Sequence, residues 1–135
     1  MKRNHPHGGK VSNRSQPARL IKELALFRHP DGGYSSLLYR SPENTGDGRP
    51  TVSVSYRMLT RDQPVARFHR SPAVTALYFH LGSPLQILTI DSSGALESSA
   101  LGADYSGGQS LQLFASENSW KAMELSEGLF SLFSE

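Results

Sequence analysis

One segment of this 135-residue chain, RFHRSPAVTALYFHLG from Arg67 to Gly82, holds side chains that could do chemistry. It carries His69 and His80 and closes on a glycine, between runs that read as strands. Two imidazoles beside a strand–turn–strand unit suit a metal centre or general acid–base catalysis. A metal centre also wants further ligands, often a carboxylate, and no Asp or Glu stands in this segment. The alternation places Val74, Ala76, Tyr78 and His80 on one face and Thr75, Leu77 and Phe79 on the other. His80 is therefore expected to face away from the side that carries Thr75, and side chains on opposite faces cannot share one ion.

Other candidates lie outside this segment. Arg57 shares a polar strand face with Ser53 and Ser55, opposite Val52, Val54, Tyr56 and Met58. If that face looks inward, Arg57 is a clamp for carboxylate or phosphate; if outward, it is solvated surface. Lys121 has two readings as well. Beside a pocket its ammonium would repel a divalent cation and receive an anion; on the surface its stem would cover Trp120. Tyr34, Tyr39 and Tyr56 could line a pocket or pack in a core. The ligand-binding candidates are thus His69, Arg57, Lys121 and Tyr56. No catalytic set is assigned, with His69 the one residue suited to act as a base, and no metal set or cofactor is expected. His29 and Asp31 precede a double glycine and read as turn-forming residues rather than an acid–base pair. No Gly-x-Ser-x-Gly, Walker, Rossmann or His-Glu-x-x-His pattern occurs.

The elements that must position these residues are short. A length of 135 residues gives one domain with at most a tail. The 12 glycines and 8 prolines favour turns over long helices, and the absence of cysteine excludes disulfides and thiolate metal sites. That absence fits a reducing compartment, and a cytoplasmic location is expected. No apolar run approaches the roughly 20 residues needed to span a bilayer. The net charge of +2 hides an asymmetry: Lys2, Arg3, Lys10, Arg14 and Arg19 stand in the first 20 residues with no acid, leaving nine bases against twelve acids in the remainder. Residues 1–16 are expected to be a disordered basic tail. They have no aromatic residue to stack on bases, so nucleic acid is not the expected partner. An acid-poor, serine-containing start is also compatible with an organellar address.

From Pro17, LIKELALF carries Leu20, Ile21, Leu24 and Phe27 at helical spacing, with proline in the first turn and Pro30 and Gly32–Gly33 as the stop. The period then changes to two. Strands are predicted at 34–40, 51–59, 65–69, 74–81, 85–91, 111–115, 119–125 and 129–134, with loops at 41–50 and at Ser92–Gly94. This pattern reads as an all-β sandwich or barrel with one helix on its outside, over residues 17–135.

The segments LIKELALFRHPDGGYSSLLYRS, FHR and GSPLQILTID, a following Gly94, then SW and a final apolar strand, resemble the cupin superfamily. The His29-Pro30-Asp31-Gly32-Gly33-Tyr34 motif, followed by Tyr39, Arg40 and Ser41, resembles the small single-domain branch of unknown function. The resemblance runs from about Pro17 to the C-terminus. It implies a jelly roll, or double-stranded β-helix, and a homodimer. It also implies that the usual four-ligand metal set of two histidines, a glutamate and a later histidine falls on His69, Ser71, Thr75 and Lys121, so that one ligand remains of four. In the second hairpin, Ser116 and Asn118 stand where the branch has proline and glycine; Asn tolerates the left-handed turn needed there. Relatives continue past the position of Glu135 with another strand, so exposed backbone groups and apolar surface are expected at a sheet edge.

These readings lead to a non-catalytic or vestigial cupin-like protein with a pocket for a small polar or anionic molecule. One alternative is a metal-independent isomerase or epimerase acting on a sugar or small metabolite, with His69 as base and a tyrosine as acid. Another is a truncated product with no independent function.

Overall fold

The computed structural model describes residues 16–135. Apart from Gln16, the expectation of a disordered tail falls on residues outside that range. A short helix, α1 (Gln16–Glu23), leads into ten strands. These are β1 (Phe27–Arg28), β2 (Tyr34–Arg40), β3 (Ser53–Thr60), β4 (Val65–Ser71), β5 (Thr75–Gly82), β6 (Leu85–Ile90), β7 (Leu96–Leu101), β8 (Gln112–Ala115), β9 (Ser119–Glu124) and β10 (Phe130–Ser134). They form a six-stranded sheet in the order β1-β2-β3-β10-β5-β8 and a four-stranded sheet in the order β4-β9-β6-β7. Every paired neighbour is antiparallel.

The core lies between the sheets. Leu59, Leu77, Leu85, Ile87, Leu101, Met123 and Phe133 are buried together, each from the inward face of its strand. Alternation does this: where Leu59 and Phe133 point in, Met58 and Leu132 point out. The outward set does not go to solvent, because α1 covers it. Leu20, Ile21 and Leu24 pack against Leu26, Met58, Phe130 and Leu132 in a second cluster. The helix is shorter than its spacing predicts. Ala25 turns left-handed at φ 52° and the Leu26 N–H closes on the Ile21 carbonyl at 2.9 Å, a C-terminal cap in which Leu26 gains a buried place. Phe27 consequently leaves the helix and stands exposed in β1.

Strands β2 to β6 and β8 to β10 lie close to the places expected; β1 and β7 are additional. The two-residue β1 occupies the segment whose spacing reads as helix. The sequence of β7, LESSAL, lacks β-branched and aromatic residues, and its pairing with β6 through six residues supplies what propensity does not. The turn after β8 holds Asn118 at φ 60°, as its side-chain type allows.

β10 pairs with β3 as far as Tyr56, and Glu135 extends the ladder to Ser55. On the other side β10 pairs with β5 only as far as Tyr78. β3 and β5 run on beyond it, leaving a gap between them.

Candidate functional site

The inward polar residues collect at the end of the barrel where this gap opens. β3 turns Ser53, Ser55 and Arg57 inward with Leu59, and β10 turns Glu135 inward in register with Phe133. A β-bulge between Ala66 and His69 resets β4, so that His69 lies opposite Lys121 of β9. The resulting cavity has a volume of about 560 Å³ and is lined by residues that include Ser53, Ser55, His69, Ser71, Thr75, Lys121 and Glu135.

Its floor is an ion network. Arg57 and Lys121 are each 2% exposed. The Glu135 carboxylate lies between them: Arg57 donates through Nη1 to Oε1 at 2.9 Å, and Lys121 donates through Nζ to Oε2 at 2.9 Å. Burial alone would raise the Glu135 pKa; the charges of Lys121 and Arg57, and the hydrogen bonds they donate, outweigh it and hold the carboxyl at about 2. Arg57 Nη2 reaches the Gly32 carbonyl at 3.4 Å, while its Nε is buried with no protein partner. Surface readings of Arg57 and Lys121 are therefore overturned. One carboxylate serves both cations.

The His29–Tyr34 motif packs beside Arg57 and His69. The His29 N–H closes on the Gly33 carbonyl at 2.9 Å and the Gly32 N–H on the His29 carbonyl at 3.0 Å. The loop docks on β4 through the Arg67 N–H, which donates to the Asp31 carbonyl at 2.7 Å. Gly32 lies so close to the Val65 carbonyl that a Cβ would overlap it, and Gly33 at φ 72° would bring one to 2.6 Å from the Met58 carbonyl. The double glycine therefore serves close backbone approach. The turn role expected for this motif holds, and it has a consequence for the site: Asp31 is placed with Oδ2 at 3.7 Å from His69 Nδ1 and 3.8 Å from His29 Nδ1. The His29 ring accepts the Asp31 N–H at 3.1 Å. Burial and the nearby Arg57 charge depress the His29 pKa, with Asp31 and Glu135 opposing them.

Tyr56 does not join this site. It shares the outward face of β3 with Met58, packs in the cluster under α1, and meets the His80 ring edge-on at 6.0 Å between centroids. Alternation makes Tyr56 and Arg57 mutually exclusive as pocket residues. His80 faces outward as expected and contacts Ser134. The residue missed in sequence is Glu135. Its signal was its parity with Ser131 and Phe133 in the final apolar strand, but its partners lie 78 and 14 residues away.

The four positions implied by the family resemblance for a metal, His69, Ser71, Thr75 and Lys121, do come together along the cavity. These side chains do not fit a transition metal. They offer one imidazole, two neutral hydroxyls and a buried ammonium that would repel the ion. Among the described residues no three His, Asp or Glu side chains form a ligand set.

Two facing antiparallel sheets with a polar cavity at one end define a cupin-type jelly roll. Residues 18–135 match the family described as Cupin superfamily (DUF985), and the chain belongs to that family. A protein from Shewanella oneidensis is 31% identical, with a TM-score of 0.79 over 86% of this chain and 73% of that one. A hypothetical protein from Leishmania major is 25% identical, with a TM-score of 0.78 over 87% of this chain and 77% of its own. An oxalate decarboxylase from Lactobacillus farciminis, solved as a formate complex, is 11% identical with a TM-score of 0.60, covering 85% of this chain and 31% of that one, a likeness of fold alone. A comparison with curated proteins gave no match. Among the described residues no helix is long and apolar enough to cross a membrane.

Proposed function

We propose that the chain is a non-catalytic cupin binding module whose cavity takes a small polar molecule bearing a carboxylate or phosphate. The observation that carries this reading is the buried floor, where Lys121 and Arg57 share the single carboxylate of Glu135. An incoming anion competes with Glu135 for Lys121, the cation that lines the cavity, while Arg57 keeps Glu135 as its partner. Ser53, Ser55, Ser71 and Thr75 supply hydroxyls around it. Asp31 lies next to His69, so the wider cluster holds two carboxylates and two cations. That balance favours a ligand with one anionic group and several hydroxyls over a multiply charged one.

A thermal-shift panel of small carboxylates, sugar acids and sugar phosphates tests this. A ligand at a hundred times its Kd should stabilise by about 2.7 kcal/mol. Lys121→Met should abolish that shift while retaining the Arg57–Glu135 pair. If no anion shifts the wild type, or if the shift survives in Lys121→Met, the reading fails.

The proximity of Asp31 to His69 favours a second reading, a metal-independent isomerase or epimerase with His69 as base and Asp31 orienting it. That enzyme would turn over a bound ligand and lose turnover, with binding largely retained, on His69→Ala. A homodimer, suggested by family resemblance, is a separate proposal for sedimentation analysis.

A further inference from the structure

On the outer face of the six-stranded sheet, away from the cavity, a serine hydroxyl meets an imidazole: His80 Nε2 and Ser134 Oγ form a hydrogen bond. A β-bulge produces the contact. β5 and β10 pair Leu81 with Leu132 and Phe79 with Phe133, so His80 is an extra residue with no partner of its own in the register. Phe133 and Phe79 belong to the inner core, and Leu132 to the outer cluster. The extra residue therefore interrupts the alternation and puts His80 and Leu81 on the same outer face, where Leu81 is 46% exposed. Ser134 shares that face with Leu132 by alternation. Its residue is only 8% exposed, whereas His80 is exposed. Tyr56 meets the imidazole edge-on, with 6.0 Å between ring centroids.

We propose that Ser134 is a site of self-acylation, with His80 as its general base and a small activated acyl ester or thioester as the donor. In the tautomer that carries its proton on Nδ1, the His80 Nε2 accepts from the Ser134 hydroxyl. As Oγ bonds to the carbonyl carbon of the donor, the hydroxyl proton passes to Nε2. The bond from that carbon to the leaving oxygen or sulfur then breaks, and the departing group takes the proton from the imidazolium. The products are an ester at Ser134, a free alcohol or thiol, and a neutral His80. Ser134 stands in the ladders with Tyr56 on one side and Tyr78 on the other, so its N–H is held in the sheet and does not stabilise an oxyanion. Hydrolysis of the ester lacks that help as well, and the acyl group persists. The outcome is a modified chain rather than a turnover enzyme. The low exposure of Ser134 selects a small acyl group such as acetyl. The site uses none of the cavity residues, so it stands or falls separately from the small-anion reading.

The test is a time course of the full chain with p-nitrophenyl acetate at neutral pH, followed by peptide mapping in a mass spectrometer. In the wild type Ser134 should gain an acetyl group at least tenfold faster than the exposed Ser92, a comparison that needs no variant. His80→Gln keeps a hydrogen-bonding partner for Ser134 but cannot take its proton. It should slow acetylation at Ser134 at least tenfold while leaving that of the exposed Lys22 unchanged. Ser134→Ala should remove the adduct from the peptide that carries this position. The ester should outlast removal of the reagent. Acetylation of Ser134 no faster than of Ser92, an unchanged rate in His80→Gln, or an adduct on the same peptide in Ser134→Ala would each overturn the proposal.

Discussion

Replacing Glu135 by glutamine probes the network at the barrel floor with a change of one charge and almost no volume. The substituted side-chain amide can accept from one cation through its oxygen, but its NH2 then faces the other, donor against donor. Two almost fully buried cations, Arg57 and Lys121, lose their shared counter-ion. Removing one partner of a buried ion pair costs about 3–5 kcal/mol. The carboxyl itself gives an independent figure. Its folded pKa of about 2 against an ordinary 4.5, at about 1.4 kcal/mol per pH unit, corresponds to roughly 3–4 kcal/mol. In a domain of this size that lowers the melting temperature by roughly 10–15 °C. The sign of the pH dependence follows. Because the folded pKa is depressed, the contribution is complete above about pH 4.5 and is lost as pH falls towards 2. Urea denaturation of the wild type should therefore weaken across that window, and the difference from Glu135→Gln should shrink with it. Adding Lys121→Met to Glu135→Gln should recover part of the loss, since a buried apolar side chain needs no counter-ion. A loss below about 1 kcal/mol at pH 7, or an unchanged gap between wild type and variant down to about pH 2, would refute this account of the floor.

Gly33→Ala places a Cβ against Met58 and Leu59 at a left-handed φ; a destabilisation of at least about 2 kcal/mol is expected by urea denaturation. The His29 imidazole should titrate below its ordinary 6.5 in an NMR pH series, and Asp31→Asn should lower it further by removing a charge that raises it. Since its folded pKa is depressed, the neutral form contributes stability above pH 6.5 that declines as pH falls through the folded midpoint. Protein purified without chelators and without a histidine tag should carry no stoichiometric Zn, Mn, Fe or Ni by elemental analysis; about one ion per chain, lost on His69→Ala, would contradict the misfit of the donor set.

Most strands are legible because a half-buried strand writes its burial as alternation, and Val52–Met58 does so plainly in its residue types. β7 is not legible because pairing with β6 stabilises a serine-rich segment that has no pattern of its own. The end of the helix misleads for a local reason: Phe27 continues the apolar spacing, but the left-handed Ala25 and the burial of Leu26 end the helix first. The site is legible in part. The positions His69, Ser71, Thr75 and Lys121, implied by family resemblance, lie at the right end of the barrel. The inward turn of Arg57 stays open in sequence because a charged residue on a strand face gives no sign of direction until its partner is known. That partner, Glu135, sits 78 residues away, and pairing at that distance is decided by sheet order.

The most direct test of the binding reading is a crystal structure with the most stabilising carboxylate of the thermal-shift panel. The account predicts an oxygen of the ligand within roughly 2.7–3.2 Å of Lys121 Nζ, with ligand hydroxyls on Ser71 or Thr75 and Glu135 retained by Arg57. A ligand bound outside the cavity, with Lys121 still held by Glu135 alone, would contradict it.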